Sequence, residues 1–199
     1  YTTKSGCKYS AFYNSVYAYK KPDADFTSSN GANVCGNTPV LFTDKSAGPV
    51  TGWQWDFGDQ VYDFNSSLQN PSHQYYNEGK YPVRLIAYNG TCSDTVEKSD
   101  FITVFPPFPD ITAATNTCDG TRGTVRFTQA SRQTTAWKWD FGDGSSVSFN
   151  ADQAEVSHTF NKTGSYKVVL TAMNGQCSVR DSITAYVLLK QSPRLTGNK

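Results

Sequence analysis

The heptapeptide Trp53-Gln54-Trp55-Asp56-Phe57-Gly58-Asp59 returns later in the chain as Trp137-Lys138-Trp139-Asp140-Phe141-Gly142-Asp143. In an extended strand alternate side chains share a face, so Trp53, Trp55 and Phe57 point one way while Gln54 and Asp56 point the other. Gly58-Asp59 then ends the strand with a turn. A buried aromatic of this size contributes roughly 2–3 kcal/mol from area alone. Two such strands predict two copies of one module, each built around its own tryptophan.

Length and composition agree with that reading. A chain of 199 residues accommodates one large domain or two of about 100, and the repeat favours two. Eighteen basic and 17 acidic residues leave a net charge of +1, so no global field points to nucleic acid or an acidic surface. Aromatic residues make up 14% of the chain and there is one Met; with many Thr, Ser, Asn and Gly, this is an all-β composition poor in helix formers. No run is apolar enough for a transmembrane helix or a signal peptide, so no membrane insertion is expected. A secreted protein would carry this chain as a mature form or a fragment.

The step from Trp55 to Trp139 sets a period, and the cysteines keep it. Cys7, Cys92 and Cys177 are evenly spaced, and Cys35 and Cys118 are separated by nearly the same step. The simplest pairing is one disulfide per module, Cys35–Cys92 and Cys118–Cys177, formed in an oxidising compartment. Each would close a loop of roughly 60 residues and contribute about 4 kcal/mol in the chain-entropy model. Cys7 is then left unpaired, its partner missing. The segment after Cys7 is an aromatic-rich strand over Ser10–Tyr19, then Lys20-Lys21-Pro22, and it matches the segments after Cys92 and Cys177. Residues 1–21 are therefore expected to be the C-terminal strand of a preceding, incomplete repeat, the alternative being a native arm with a free cysteine. Residues 22–105 form module one, 106–190 module two, and 191–199 a linker or the start of a further module. Pro106-Pro107-Phe108-Pro109 between the modules predicts a stiff polyproline II spacer.

Within module one, strands are predicted at Asp25–Thr27, Pro39–Thr43 and Thr51–Phe57, with a short edge candidate at Val61–Phe64. Next come His73-Gln74-Tyr75 and an alternating strand, Gly79–Gly90, in which Tyr81, Val83, Leu85 and Ala87 share a face. Pro82 cannot donate to a ladder, so it is expected at an edge or a strand start. Module two repeats the pattern with Thr124–Thr128, His158-Thr159-Phe160 and Gly164–Gly175. Six to seven short strands with a Trp on the third predict tandem immunoglobulin-like sandwiches, in which Tyr81 and Tyr166 are placed to form tyrosine corners.

Trp-Asp-Phe-Gly-Asp, then His before an aromatic, then Gly-x-Tyr-x-Val-x-Leu-x-Ala-x-Asn resembles the polycystic kidney disease (PKD) domain, over both modules and, by cysteine phase, the N-terminal segment. The resemblance implies seven-stranded sandwiches in the extracellular part of surface proteins, adhesins or secreted hydrolases. The cysteine placement is similar to that in arrays of bacterial surface proteins exported by a type IX route. Two departures stand out. Asp59-Gln60 replaces the Asp-Gly seen at Asp143-Gly144. The loop before the Trp strand, Asp44–Pro49 or Gln129–Thr134, lacks the carboxylates that calcium-binding members supply. No cofactor is expected, with calcium the only candidate.

The residues able to do chemistry belong to the repeat. His73 and His158 occupy equivalent positions and are expected to be framework histidines bonded near Asp59 and Asp143. Asp56 with Asp59, and Asp140 with Asp143, read as turn stabilisers rather than acid–base pairs. No nucleophile, phosphate-loop or zinc spacing appears, and no catalytic residue or enzyme activity is expected. Candidate binding aromatics are Tyr62, Phe64, Tyr75, Tyr76 and Tyr88. Asp94-Thr95-Val96 and Asp181-Ser182-Ile183 resemble bacterial O-glycosylation acceptors, with Thr95 and Ser182 as the hydroxyls. The expectation is a non-catalytic extracellular or cell-surface segment, a rigid disulfide-locked spacer and interaction module. Its partners are other modules of the same long chain and a surface glycan or protein. The alternatives are an accessory substrate-binding module of a secreted polysaccharide- or protein-degrading enzyme, and a filament subunit using residues 1–21 for strand exchange.

Overall fold

The computed structural model describes residues 11–12, 15–16, 20–29, 31–59, 66–90, 92–119, 122–150, 153–175 and 177–189. Among them the fold is all-β, without helices, and no helix is long and apolar enough to cross a membrane. The chain divides into two compact units, Tyr1–Phe105 and Pro106–Lys199.

The first unit begins with β1 (Ala11–Phe12) and β2 (Ser15–Val16), which pair with each other antiparallel. Of the single strand expected over Ser10–Tyr19, these four residues form two paired strands instead, and the others lie outside the described residues. The sandwich comes next: β3 (Phe26–Ser28), β4 (Asn33–Cys35), β5 (Pro39–Asp44), β6 (Gly52–Asp56), β7 (Ser72–Gln74), β8 (Gly79–Asn89) and β9 (Cys92–Phe105). One sheet has the order β3-β5-β7 and the other β4-β9-β8-β6. The second unit contains β10 (Ile111–Asp119), β11 (Arg122–Gln129), β12 (Ala136–Asp140), β13 (Ser146–Phe149), β14 (Glu155–Phe160), β15 (Gly164–Asn174) and β16 (Cys177–Val187). Its sheets are β10-β11-β14 and β13-β12-β15-β16.

The tryptophan strands sit where their alternation puts them. Trp55 pairs with Leu85 across β6 and β8, and Trp139 with Leu170 across β12 and β15. Trp55, Leu85, Trp139 and Leu170 are all fully buried. Phe26 meets Trp55 edge-on at 5.2 Å between centroids, and Phe42 lies tilted at 5.9 Å. Phe127 does the same for Trp139 at 5.7 Å. Val83, Leu85 and Ala87 of β8 are fully buried, as period-2 alternation requires of a strand with one face on the core.

The units differ in their first strand. In the second, β10 runs unbroken beside β11. In the first, the equivalent stretch is split: β3 pairs with β5, and β4 crosses to run parallel with the end of β9. Gly31, at φ +69° between β3 and β4, takes a conformation open to glycine and strained for other residues. Counted from the start of the first strand to the cysteine, module one also has two more residues than module two, Phe26 to Cys35 against Ile111 to Cys118. Those two features let the chain change sheets.

Two expectations are corrected. Pro82 is at neither an edge nor a strand start, because β8 lies between β9 and β6. It fits there because the β8–β9 register shifts between Tyr81 and Val83, interrupting the ladder where the missing N–H would have donated. The Pro106–Pro107 peptide bond is cis. Most consequentially, the disulfide pairing within each module is excluded by strand geometry. Cys35 pairs in register with Phe105, at the last residue of β9, whereas Cys92 is the first. The length of β9 separates the two ends by about 40 Å, against the roughly 4.4–6.8 Å between Cα atoms that a disulfide spans. In module two, Cys118 stands opposite Gly123, and a Cβ on Gly123 would strike the Val187 side chain at the far end of β16 from Cys177. Cys35 and Cys177 are nonetheless both disulfide-bonded. Cys7 lies outside the described residues.

Candidate functional site

The strand Trp53–Asp56 ends in a turn that the Asp56 side chain closes: Gly58 N–H donates to Asp56 Oδ1 at 3.0 Å. Gly142 N–H donates to Asp140 Oδ1 at the same distance. This side-chain mimic of a backbone turn is what aspartate supplies before a glycine. The second Asp56 oxygen, Oδ2, accepts from Arg84 Nη2 at 2.8 Å.

The turn delivers Asp59 to the histidine. His73 Nε2–H donates to Asp59 Oδ2 at 2.7 Å. The imidazole stacks on Phe57 with centroids 4.2 Å apart and planes 9° off parallel, while Tyr75 meets it edge-on at 4.7 Å. Tyr75 in turn stacks on Tyr81, whose hydroxyl donates to Asn77 O at 3.0 Å. Module two reproduces the set: His158 to Asp143 at 2.7 Å, His158 on Phe141 at 4.0 Å and 7°, Phe160 edge-on at 4.7 Å, and Tyr166 OH to Lys162 O at 2.9 Å. Tyr81 and Tyr166, each bonding back four residues, are tyrosine corners.

In module two Ser145 joins the pair, its Oγ 3.2 Å from His158 Nε2 and donating to Asp143 Oδ1 at 2.5 Å. The three residue types are those of a hydrolytic triad, but the geometry is not. A triad places the acid on one ring nitrogen and the nucleophile on the other; here serine and aspartate share Nε2, and the serine proton goes to the aspartate. The cluster holds a turn.

Burial works to raise the Asp143 carboxyl, but the bonds from Ser145 and His158 outweigh it and hold it down to about 2. A depressed carboxylate stabilises the fold above its ordinary value and loses that contribution as pH falls through the folded one. Unfolding of module two by urea is therefore expected to become easier between about pH 4 and pH 2. Asp143→Asn is expected to remove this part of the acid sensitivity; an unchanged pH profile in the variant would refute the assignment.

The loop before each Trp strand is also committed. Asp44 Oδ1 accepts from Ser46 N–H at 2.9 Å, and Oδ2 from Trp53 Nε1 at 2.8 Å and Gln69 Nε2 at 3.2 Å. In module two, Gln129 takes over, accepting from Ser131 N–H at 2.6 Å. A neutral amide thus does in one module what a carboxylate does in the other. One carboxylate with both oxygens engaged does not fit the oxygen-rich shell calcium takes. Among the described residues, no group of three or more His, Cys, Asp or Glu is placed to hold a metal ion.

Of the candidate binding aromatics, Tyr75 is corrected: it is buried, with its hydroxyl on Phe57 O at 3.1 Å, because the histidine ring and Tyr81 enclose it. Tyr88 is half-buried and donates to Gln54 Oε1 at 2.7 Å. Tyr76 is 54% exposed. Tyr62 and Phe64 lie outside the described residues. Thr95 and Ser182 are exposed on β9 and β16. Their neighbouring aspartates, read from sequence only as part of a glycosylation pattern, clasp the first strand of each sandwich. Asp94 Oδ2 accepts from Ala24 N–H at 2.8 Å and Oδ1 pairs with Lys21 at 2.5 Å. Asp181 Oδ2 accepts from Ile111 N–H at 2.8 Å. Both bonds span 70 residues of chain, a separation that periodicity alone does not reveal. Asp94→Ala and Asp181→Ala are each expected to cost about 1.5–3 kcal/mol, the range for hydrogen bonds to a charged group, read from denaturant midpoints.

Two sandwiches with the same turn, the same bonded histidine and the same tyrosine corner define a tandem of immunoglobulin-like modules. The chain belongs to the PKD domain family, which it matches over residues 19–104 and 105–188, and the modules are of a non-catalytic kind. Solved structures it is similar to include fibronectin(III)-like modules of Clostridium thermocellum CbhA, 14% identical over 88% of this chain and 98% of that one, with a TM-score of 0.32. A carbohydrate-binding module of the β-sandwich superfamily is 17% identical over 86% of this chain and 85% of its own, TM-score 0.38. A chimeric titin Z1Z2 tandem is 13% identical over 84% of this chain and all of its own, TM-score 0.28. At these TM-scores the likenesses say nothing of what this chain binds.

Proposed function

We propose that the chain is a structural segment of a longer extracellular protein, a spacer whose tandem sandwiches carry terminal or neighbouring domains away from a surface. One observation carries the reading. The groups with chemical potential, His73 with Asp59 and His158 with Asp143, are spent on the same turn in both modules and are held between aromatic rings. Oxidised Cys35 and Cys177 favour an extracellular setting. Export by a bacterial type IX route, other modules of the same chain as neighbours, and bare metal-free loops belong to the same proposal.

Retention on insoluble chitin, cellulose or collagen tests it. A spacer passes through all three. Binding that is lost in Tyr76→Ala or Tyr186→Ala, whose side chains are 54% and 68% exposed in the parent, would replace the spacer reading with that of a substrate-binding module. Calcium addition is expected to leave the thermal midpoint unchanged, since a ligand binding only the folded state would raise it.

A further inference from the structure

We propose that the outer face of the β13-β12-β15-β16 sheet in module two docks a uronic-acid polysaccharide, whose carboxylates are met by Lys138, Lys167 and Arg180. Strand alternation sends Trp139, Val168, Leu170 and Val179 into the core, where all are buried, and their neighbours outward. Lys138 on β12, Lys167 on β15 and Arg180 on β16 are therefore exposed on one surface. Register places Thr171 opposite both Lys138 and Arg180, so these two cations flank it with backbones roughly 9.5 Å apart. Lys167 lies further along β15, about 13 Å from Thr171.

Among the described residues of module two, the ion pairs join Arg126 to Glu155 and His158 to Asp143, and none involves these three cations. The one carboxylate of these strands that faces the same way, Asp140, accepts from Gly142 N–H and stands across from Val169 and Ser146. Module one shows that the fold does not require this charge. Its matched row reads Gln54, Ile86 and Thr95, and Pro82 stands where module two has Lys167. The arginine it does carry on that face, Arg84, is paired with Asp56 at 2.8 Å. The unpaired basic surface is thus particular to module two.

The surroundings select among anionic partners. Ser148, Thr171, Ser178, Ser182 and Thr184 lie between and beside the cations, and their hydroxyls both donate and accept, as sugar hydroxyls do. Arg180 has the planar fork that matches a carboxylate. Tyr186, 68% exposed, continues the same face along β16 and supplies a ring for a sugar to stack on. A flat sheet does not enter a duplex groove, which admits a helix or a two-stranded ribbon. One exposed ring is also too few for the successive stacking that nucleic-acid single strands take.

Electrophoresis of the full chain through native gels containing polygalacturonate, at low ionic strength, tests the assignment. Retardation is expected, falling as salt is added, and absent from gels containing the fully methyl-esterified polymer. The double variant Lys138→Gln, Arg180→Thr carries module one's residues at the matched exposed positions. It should bind roughly fivefold to thirtyfold more weakly, the worth of two exposed ion pairs. Lys80→Gln, on the matching face of module one, should bind as the parent does. No retardation, equal retardation by the methyl ester, or undiminished binding in the double variant overturns the proposal. So does tighter binding to dextran sulfate, single-stranded DNA or phosphatidylserine vesicles than to polygalacturonate, which would assign the face to a sulfate, a nucleic acid or a membrane. The methyl-ester comparison needs no variant and decides the question if the double variant does not fold. The spacer reading is tested separately: failure here leaves it standing, and retention on chitin, cellulose or collagen leaves the polygalacturonate result standing.

Discussion

Trp55→Ala and Trp139→Ala are each expected to lower the stability of the module that carries them by about 3–5 kcal/mol, the range for emptying a buried large aromatic site. Both indoles are fully buried and are the largest side chains in their cores. A domain of this size has only about 5–15 kcal/mol in total, so the loss should move its melting transition down by roughly 15–30 °C. Calorimetry of the full chain checks this, the transition of the altered module moving and that of the other staying. A shift under about 5 °C would deny the tryptophans their organising role. A finer comparison separates volume from polarity. Trp55 Nε1 donates to Leu68 O at 2.9 Å, whereas Trp139 Nε1 is buried without a hydrogen-bond partner among the described residues. Phenylalanine should therefore cost more at 55 than at 139, by about 1 kcal/mol, the net worth of one hydrogen bond.

The glycine of the repeated motif should be almost as sensitive, for a different reason. Gly58 and Gly142 both have φ of +75°, where an alanine costs about 1–2 kcal/mol in backbone strain. The space is also taken. A Cβ on Gly58 would lie 2.3 Å from Pro82 O and 2.8 Å from Pro82 Cδ, and one on Gly142 would lie 2.6 Å from Lys167 O. These neighbours are largely backbone of a central strand and cannot swing aside, so overpacking adds about 1–3 kcal/mol. Gly58→Ala and Gly142→Ala are expected to cost about 2–5 kcal/mol each in urea unfolding. Gly144→Ala is the control: its φ is +93° with nothing within 4 Å of the added carbon, so only the strain, about 1–2 kcal/mol, should appear. Equal losses at 142 and 144 would show that contact with Lys167 is irrelevant.

Much of the site was legible in the sequence, because its parts recur in one register. Trp, Asp, Gly and His return together once per repeat, and the bonded histidine and the tyrosine corner follow from short-range rules about turns and strand faces. What escaped was every feature made by residues far apart in the chain whose meeting depends on sheet order. The clasp from Asp94 to Ala24, the parallel crossing of β4 to β9, and Pro82 inside a central strand are of this kind. Tyr75 looked like a surface ring because alternation cannot show that a neighbouring corner tyrosine closes over it.

The cysteines mark the division most clearly. By itself the sequence determined that this protein is a tandem of all-β PKD modules with cysteines in phase, since period, alternation and turn chemistry are local properties of the chain. Which cysteines can meet was a tertiary decision. The two cysteines that spacing pairs within module one lie by opposite ends of a strand about 40 Å long, and only the register of β4 on β9 shows that Cys35 is at the far end from Cys92.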